Sequence, residues 1–350
     1  MSVEKKKILW TVDPFAKNKE LQHSAAWAIK NLTQGSSSII EPIYFFSAYI
    51  TTDGPLEVPP DLIRSIQASG QKQLDEILSR IKLDGVRPLH VISQPYLSIR
   101  EGVDLISRMA KRWKADLIIT STHARKGIKR WVLGSFAETL LLHSDVPLFF
   151  VNPHWNRSSK FRHILFPTDF SQESKEAFHQ VIKFAKSLGS DLTLFHKLAY
   201  IWPPTMVLSI GPAPLYTDAF GQELEARRRD ALQWAEEAKK EGIQITTYVD
   251  HKPSDSITDA ILREAKKKLG IIAMASRSGP AKTTLLGSTT RKIVRESPYP
   301  VWVLHPKLRA QEQSDKVRSI RSVPMEPSFS VTEEDITEDL KHIPGIKKPA

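Results

Sequence analysis

Two patterns of apolar and polar positions alternate along the chain. Short runs rich in β-branched residues are separated by longer stretches in which apolar residues return every three or four positions. The short runs predict strands over Lys7–Val12, Ile39–Ser47, Pro88–Ser93, Asp116–Ser121 and Leu148–Val151. A second set is predicted over His163–Pro167, Asp191–Leu198, Gln244–Val249, Gly270–Ala275 and Val301–Leu304. Leu117-Ile118-Ile119 and Ile271-Ile272-Ala273-Met274 are apolar without a break, as central parallel strands covered on both faces must be. Ser98-Ile99-Arg100-Glu101 and Ser256-Ile257-Thr258-Asp259 fit a capping box at the third helix of each set. Strands alternating with amphipathic helices predict βαβ units, hence an α/β fold with a doubly wound parallel sheet.

The two sets are copies. Ile8-Leu9-Trp10-Thr11-Val12-Asp13-Pro14-Phe15 is answered by Ile164-Leu165-Phe166-Pro167-Thr168-Asp169-Phe170-Ser171. Leu133-Gly134-Ser135 and the strand led by Pro147 are answered by Leu286-Gly287-Ser288 and the strand led by Pro300. The offset is 156 residues for the aspartates and 153 for the Gly-Ser pairs and prolines. Each copy is large enough to bury its own core. The expected domains are 1–154 and 155–306, each a five-stranded parallel sheet of order 3-2-1-4-5 with Asp13 and Asp169 at equivalent strand ends. The polar junction Asn152–Ser159, with one proline, places them close together. Residues 307–350 read as a flexible polar tail. Within it Ser330-Val331-Thr332-Glu333 offers a cap for one short helix to His342, an alternative in which the tail docks a protein partner.

Composition narrows the chemistry. The chain has 350 residues, 41% hydrophobic and 25% charged, within the globular range, and no cysteine. Disulfides, thiolate metal sites and thiol nucleophiles are thereby excluded, and a reducing compartment fits. No segment approaches the length of a spanning helix, so a cytoplasmic location is expected. The net charge is +11. Basic and acidic residues balance in the tail, so the excess belongs to the two copies and favours anionic partners. The competing reading is a solvated basic surface.

The Asp after the first strand, the Gly-Ser pair opening the last helix and the Pro-led final strand together resemble the universal stress protein family. Pro42-Ile43-Tyr44-Phe45-Phe46-Ser47 with Val12-Asp13-Pro14 resembles the first half of its tandem, two-domain bacterial type. The resemblance implies two Rossmann-like, adenine nucleotide alpha hydrolase-like domains about a pseudo-twofold axis. It implies pairing through the last strands, Pro147–Val151 and Pro300–Leu304, and allows a homodimer. It also implies a stress-response regulatory protein, with ATP or another adenine nucleotide, and Mg with it, as the expected ligand. A membrane span is not implied, and nucleic acid is not favoured.

Nucleotide-binding members carry G-x2-G-x9-G-S/T after strand four, where glycines let backbone N–H groups approach phosphate at a helix N-terminus. The first copy reads Ser121-Thr122-His123-Ala124, nine residues, then Gly134-Ser135. The second reads Ala275-Ser276-Arg277-Ser278, eight residues, then Gly287-Ser288. Two glycines are lost in each, at a cost on the order of 1 kcal/mol or more apiece where the backbone must approach a phosphate. Weakened nucleotide binding is therefore expected. In the first copy Arg125, Lys126, Lys129 and Arg130 surround Gly127, a set suited to holding an anion by side chains or simply a solvated loop. By resemblance Asp13 and Asp169 face the nucleoside, with a helix N-cap as the alternative role. The adenine-contacting position corresponds to Ile43 and, in the second copy, to about Lys197. The family's Gly-x-Pro site is Ser93-Gln94-Pro95 in one copy and His251-Lys252-Pro253 in the other, each without its glycine.

Catalytic machinery is not apparent. The eleven histidines show no metal-ligand spacing, and the chain contains neither a nucleophile elbow nor a Walker loop. Glu138 closely follows the first Gly-Ser pair, but Arg291 stands at the matching place in the second copy. The expectation is a binding or regulatory protein without enzymatic turnover. An ATP sensor using the first domain is the first alternative. A basic scaffold for protein, lipid or nucleic acid is the second.

Overall fold

The structure is a computed structural model describing residues 5–46, 60–93, 98–122, 134–153, 155, 160–198, 214–252, 256–276 and 287–305. The tail, with the short helix expected over 330–342, lies outside the described residues, as do the Arg125–Arg130 cations and most of the domain junction.

The first half runs β1 (Lys6–Thr11), α1 (Glu20–Thr33), β2 (Ser38–Phe46), α2 (Pro60–Ile81), β3 (His90–Ser93), α3 (Ile99–Arg112), β4 (Leu117–Ser121), α4 (Ser135–His143) and β5 (Leu148–Val151). The second half repeats it as β6 (His163–Pro167), α5 (Gln172–Leu188), β7 (Asp191–Lys197), α6 (Pro214–Lys240), β8 (Ile245–Asp250), α7 (Ile257–Ala265), β9 (Ile271–Ala275), α8 (Ser288–Glu296) and β10 (Val301–Leu304). All ten predicted strands form, with ends shifted by a residue or two.

The strands make one ten-stranded sheet in the order β3-β2-β1-β4-β5-β10-β9-β6-β7-β8. Each half therefore has the order 3-2-1-4-5, parallel throughout, and the halves join where β5 meets β10 antiparallel. At the centre of that join Phe149 lies opposite Trp302. These residues occupy equivalent positions in the two copies, so the pseudo-twofold axis passes between them. Glu138 of α4 and Arg291 of α8 are equivalent as well. The Arg291 guanidinium donates to Glu138 Oε1, and Arg295 Nη2 reaches the same oxygen at 3.4 Å. Asn152 Nδ2 adds a buried bond to Ser297 O at 3.1 Å.

Alternation along β1 distributes the core. Ile8, Trp10 and Val12 join Ala25 and Ile29 of α1 and Leu74 and Ile77 of α2 in one cluster. That cluster continues through Phe149, Phe161 and Trp302 into Phe166, Phe178 and Trp234 of the second half. The opposite helix pairs, α3 with α4 and α7 with α8, pack side by side. Ser98 forms the full capping box with Glu101. Ser256 accepts from Asp259 N, but the Asp259 carboxylate turns to the Ser256 hydroxyl at 2.6 Å. The second box is thus only half formed, because Asp is one methylene shorter than Glu.

Candidate functional site

Ligands of open α/β sheets sit beyond the carboxyl ends of the strands, where the strand order reverses. In the first domain this point lies between β1 and β4, and a cavity of about 300 Å³ opens there. Val12, Ile43, Ile99 and Ile106 give it apolar walls. Tyr44, Phe45 and Phe136 give it an aromatic side, and Asp13, Gln22, Thr120 and Ser121 supply polar groups. Ile43 pairs with Thr11 across the sheet and is 1% exposed.

Phe45 and Phe136 stack, with centroids 6.2 Å apart and planes inclined by 23°. Phe45 reaches this position only because residue 102 is glycine, since a Cβ there would run into the Phe45 ring. Tyr44 packs edge-on to Phe15 at 5.5 Å. Burial, assisted by the charge of Asp13, pushes its hydroxyl pKa up to about 12, so Tyr44 stays a protonated donor at neutral pH. Gln22 is 4% exposed, and its Oε1 is buried without a hydrogen-bond partner among the described residues.

Asp13 Oδ1 accepts from Phe15 N at 3.0 Å. It does not cap α1, whose N-cap is Lys19. Ser121 lies at the end of β4, and its hydroxyl donates to Leu21 O at 2.8 Å. Gly134 is the N-cap residue of α4 and has no side chain to satisfy the first turn, so Ser135 and its neighbours present N–H groups outside the helix's own bonding. The first domain therefore brings Asp13, Ile43 and Ser121 to one cavity, with Phe136 of the α4 first turn on its wall. Ala124, Arg125 and Gly127 lie outside the described residues.

The second domain uses the equivalent position differently. Strand register sets Phe195, not Lys197, opposite Pro167, so Phe195 is the counterpart of Ile43. The expected placement fails because four fewer residues separate the first two strands in this copy. Lys197 instead matches Phe45. Its side chain is 5% exposed and pairs at 3.5 Å with Asp250, which is fully buried. It also donates to Lys252 O. Asp250 further accepts from Arg263 Nη2 at 2.7 Å and from Lys252 N at 3.1 Å. Burial alone would raise the Asp250 pKa, but the Lys252 bond and the Lys197 and Arg263 charges hold it below the usual range.

Asp169 is exposed, and its Oδ1 accepts from Ser171 N at 3.0 Å and Ser174 Oγ at 2.6 Å. Ser171, rather than Asp169, is the N-cap of α5. Phe170 takes a left-handed φ of 59°, a strained choice for an aromatic residue. Its ring is held by Trp234 at 5.2 Å and His196 at 5.1 Å. Ala275 ends β9, and its carbonyl accepts from Thr290 Oγ1 at 3.4 Å. Gly287 and Ser288 begin α8 as Gly134 and Ser135 begin α4, while Ser278 lies outside the described residues.

Sequence reasoning missed the Phe45–Phe136 stack, Gln22 and the Lys197–Asp250–Arg263 network. Phe136 had a signal, since it directly follows the Gly-Ser pair. Asp250 had none, because a carboxylate ending a strand looks the same buried or solvated. Among the described residues no group of three or more His, Asp or Glu is placed to hold a metal. No helix there is long and apolar enough to cross a membrane.

Comparison with known proteins agrees with this fold. A solved universal stress protein from Archaeoglobus fulgidus DSM 4304 superposes with a TM-score of 0.58 at 19% identity, covering 86% of this chain and 98% of that one. A protein of unknown function from Pseudomonas aeruginosa PAO1 gives 0.56 at 14% identity, covering 91% and 98%. At these identities the likeness establishes the fold alone. No match was found among curated protein sequences. The model of the universal stress protein family matches twice, over residues 5–152 and 160–305. With most of its length accounted for by those two matches, the chain belongs to the universal stress protein family.

Proposed function

We propose that this is a regulatory binding protein of the universal stress type, with its small-molecule site in the first domain and no enzymatic turnover. One observation carries the reading. The place that Phe45 takes in the wall of the first-domain cavity is taken in the second domain by Lys197, which is paired with buried Asp250 beside Arg263. Adenine nucleotides are the family-derived ligand, held weakly because Ser121 and Ala124 replace two phosphate-loop glycines. Glu138, the carboxylate nearest the Gly-Ser pair, is engaged by Arg291 and Arg295, which speaks against a role in hydrolysis.

Calorimetry with MgATP on the whole chain tests the assignment. Gly134→Asp adds a negative charge at the α4 N-terminus without straining a backbone whose φ is −62°, and should abolish whatever binding exists. Gly287→Asp should leave it unchanged. The reverse pattern would move the site to the second domain. Phosphate release should stay below about one per second, the lower edge of ordinary enzyme rates. A faster rate that Gly134→Asp removes would make the protein an ATPase.

A further inference from the structure

A second cavity, of about 320 Å³, lies at the other end of the strands, between the two halves. Ile8, Leu32 and Leu117 form its wall in the first half, and Phe184 and Trp302 form it in the second. Lys6 and Lys183 line it with Asp116, two cations against one anion. The Asp116 carboxylate is already bonded to Lys7 N at 2.8 Å.

Lys6 is the unusual member. Its side chain is partly buried, and its ammonium donates to Leu32 O at 3.2 Å and Ser187 Oγ at 3.3 Å, both neutral oxygens. It sits 5.6 Å from the centre of the Phe184 ring. Burial holds its pKa below the ordinary lysine value, with the Asp116 charge opposing. An ammonium desolvated against neutral partners gains from an anion brought to it, and the apolar walls gain from a hydrocarbon.

We propose that this interdomain cavity binds an amphipathic carboxylate, an alkyl chain with its head on Lys6 and Lys183. The apolar walls and one charged end suit an alkyl chain of medium length. The ligand would touch both halves at once and tighten their packing by mass action.

Calorimetric titration of the full chain with hexanoate, octanoate and decanoate, and with decanol as the neutral control, is the test. Affinity should rise about fourfold per methylene up to decanoate. Decanoate should bind about tenfold more tightly than decanol. Lys6→Gln should erase that preference. Lys183→Gln, at an exposed position that does not threaten folding, should reduce it. Ser187→Trp at the rim should block both ligands. Absence of saturable binding, affinity independent of chain length, equal affinity for decanol, or indifference to Ser187→Trp would each overturn the proposal.

Discussion

Position 197 shows how one substitution redirects a site. In the first domain the equivalent residue is Phe45, whose ring needs Gly102 beneath it and stacks on Phe136. In the second domain Lys197 carries a charge into the same place, where it is tolerable only against buried Asp250. Lys197→Met should therefore cost about 3 kcal/mol in urea unfolding, the lower range for breaking a buried ion pair because Arg263 remains. The depressed Asp250 pKa stabilises the fold above about pH 4, the unfolded value, and this contribution is lost as pH falls through the lower folded value. With Lys197 gone, the contribution should be smaller and its loss complete at a higher pH. A variant as stable as wild type would mean the network contributes nothing. Asp13 was locatable from its strand end, and Ile43 and Ser121 from the family resemblance; the structure adds that all three line one cavity. The Lys197 network was not locatable, because pairing across strands depends on a register that a shorter connection had shifted.

At the scale of elements, periodicity carried nearly everything. Runs such as Ile118-Ile119 and Ile271-Ile272 have one stable solution, burial between two helix layers, and every predicted strand formed. Helix starts were readable to the level of the cap residue but not its reciprocal partner. Ser98 sits in a complete box with Glu101, whereas Asp259 bonds the hydroxyl of Ser256 rather than its backbone. Ser98→Ala should cost about 1 kcal/mol. Glu101→Ala should cost a further few tenths, and Asp259→Ala less than Glu101→Ala, because no backbone donor is then orphaned. Chemical denaturation of the three single variants measures this. Equal losses for Glu101→Ala and Asp259→Ala would contradict the distinction.

For the whole molecule, acid acts through buried histidines, and His305 beside the joint between the halves is shifted furthest. His305 follows β10 as Asn152 follows β5, and its Nδ1 meets Ser276 Oγ at 2.7 Å. Burial lowers its pKa to about 4, against a weaker pull from Asp145. A histidine held neutral by the fold adds stability that is present above the unfolded value of about 6.5 and drains away as pH falls toward 4. Stability should thus decline over that interval, with His90, His163 and His196 contributing in the same direction. His305→Asn, which installs the first domain's residue, should reduce the slope by about one proton. An unchanged slope in thermal unfolding between pH 6.5 and 4 would reject the assignment.

The pairing of Glu138 with Arg291 has a consequence for assembly. A residue on a twofold axis meets its own copy when two identical chains associate. If first halves paired with first halves, Glu138 would face Glu138. If second halves did so, Arg291 and Arg295 would face their like. Only a first half against a second half brings opposite charges together. The joint therefore selects unlike halves, and in this chain it is made between its own first and second halves.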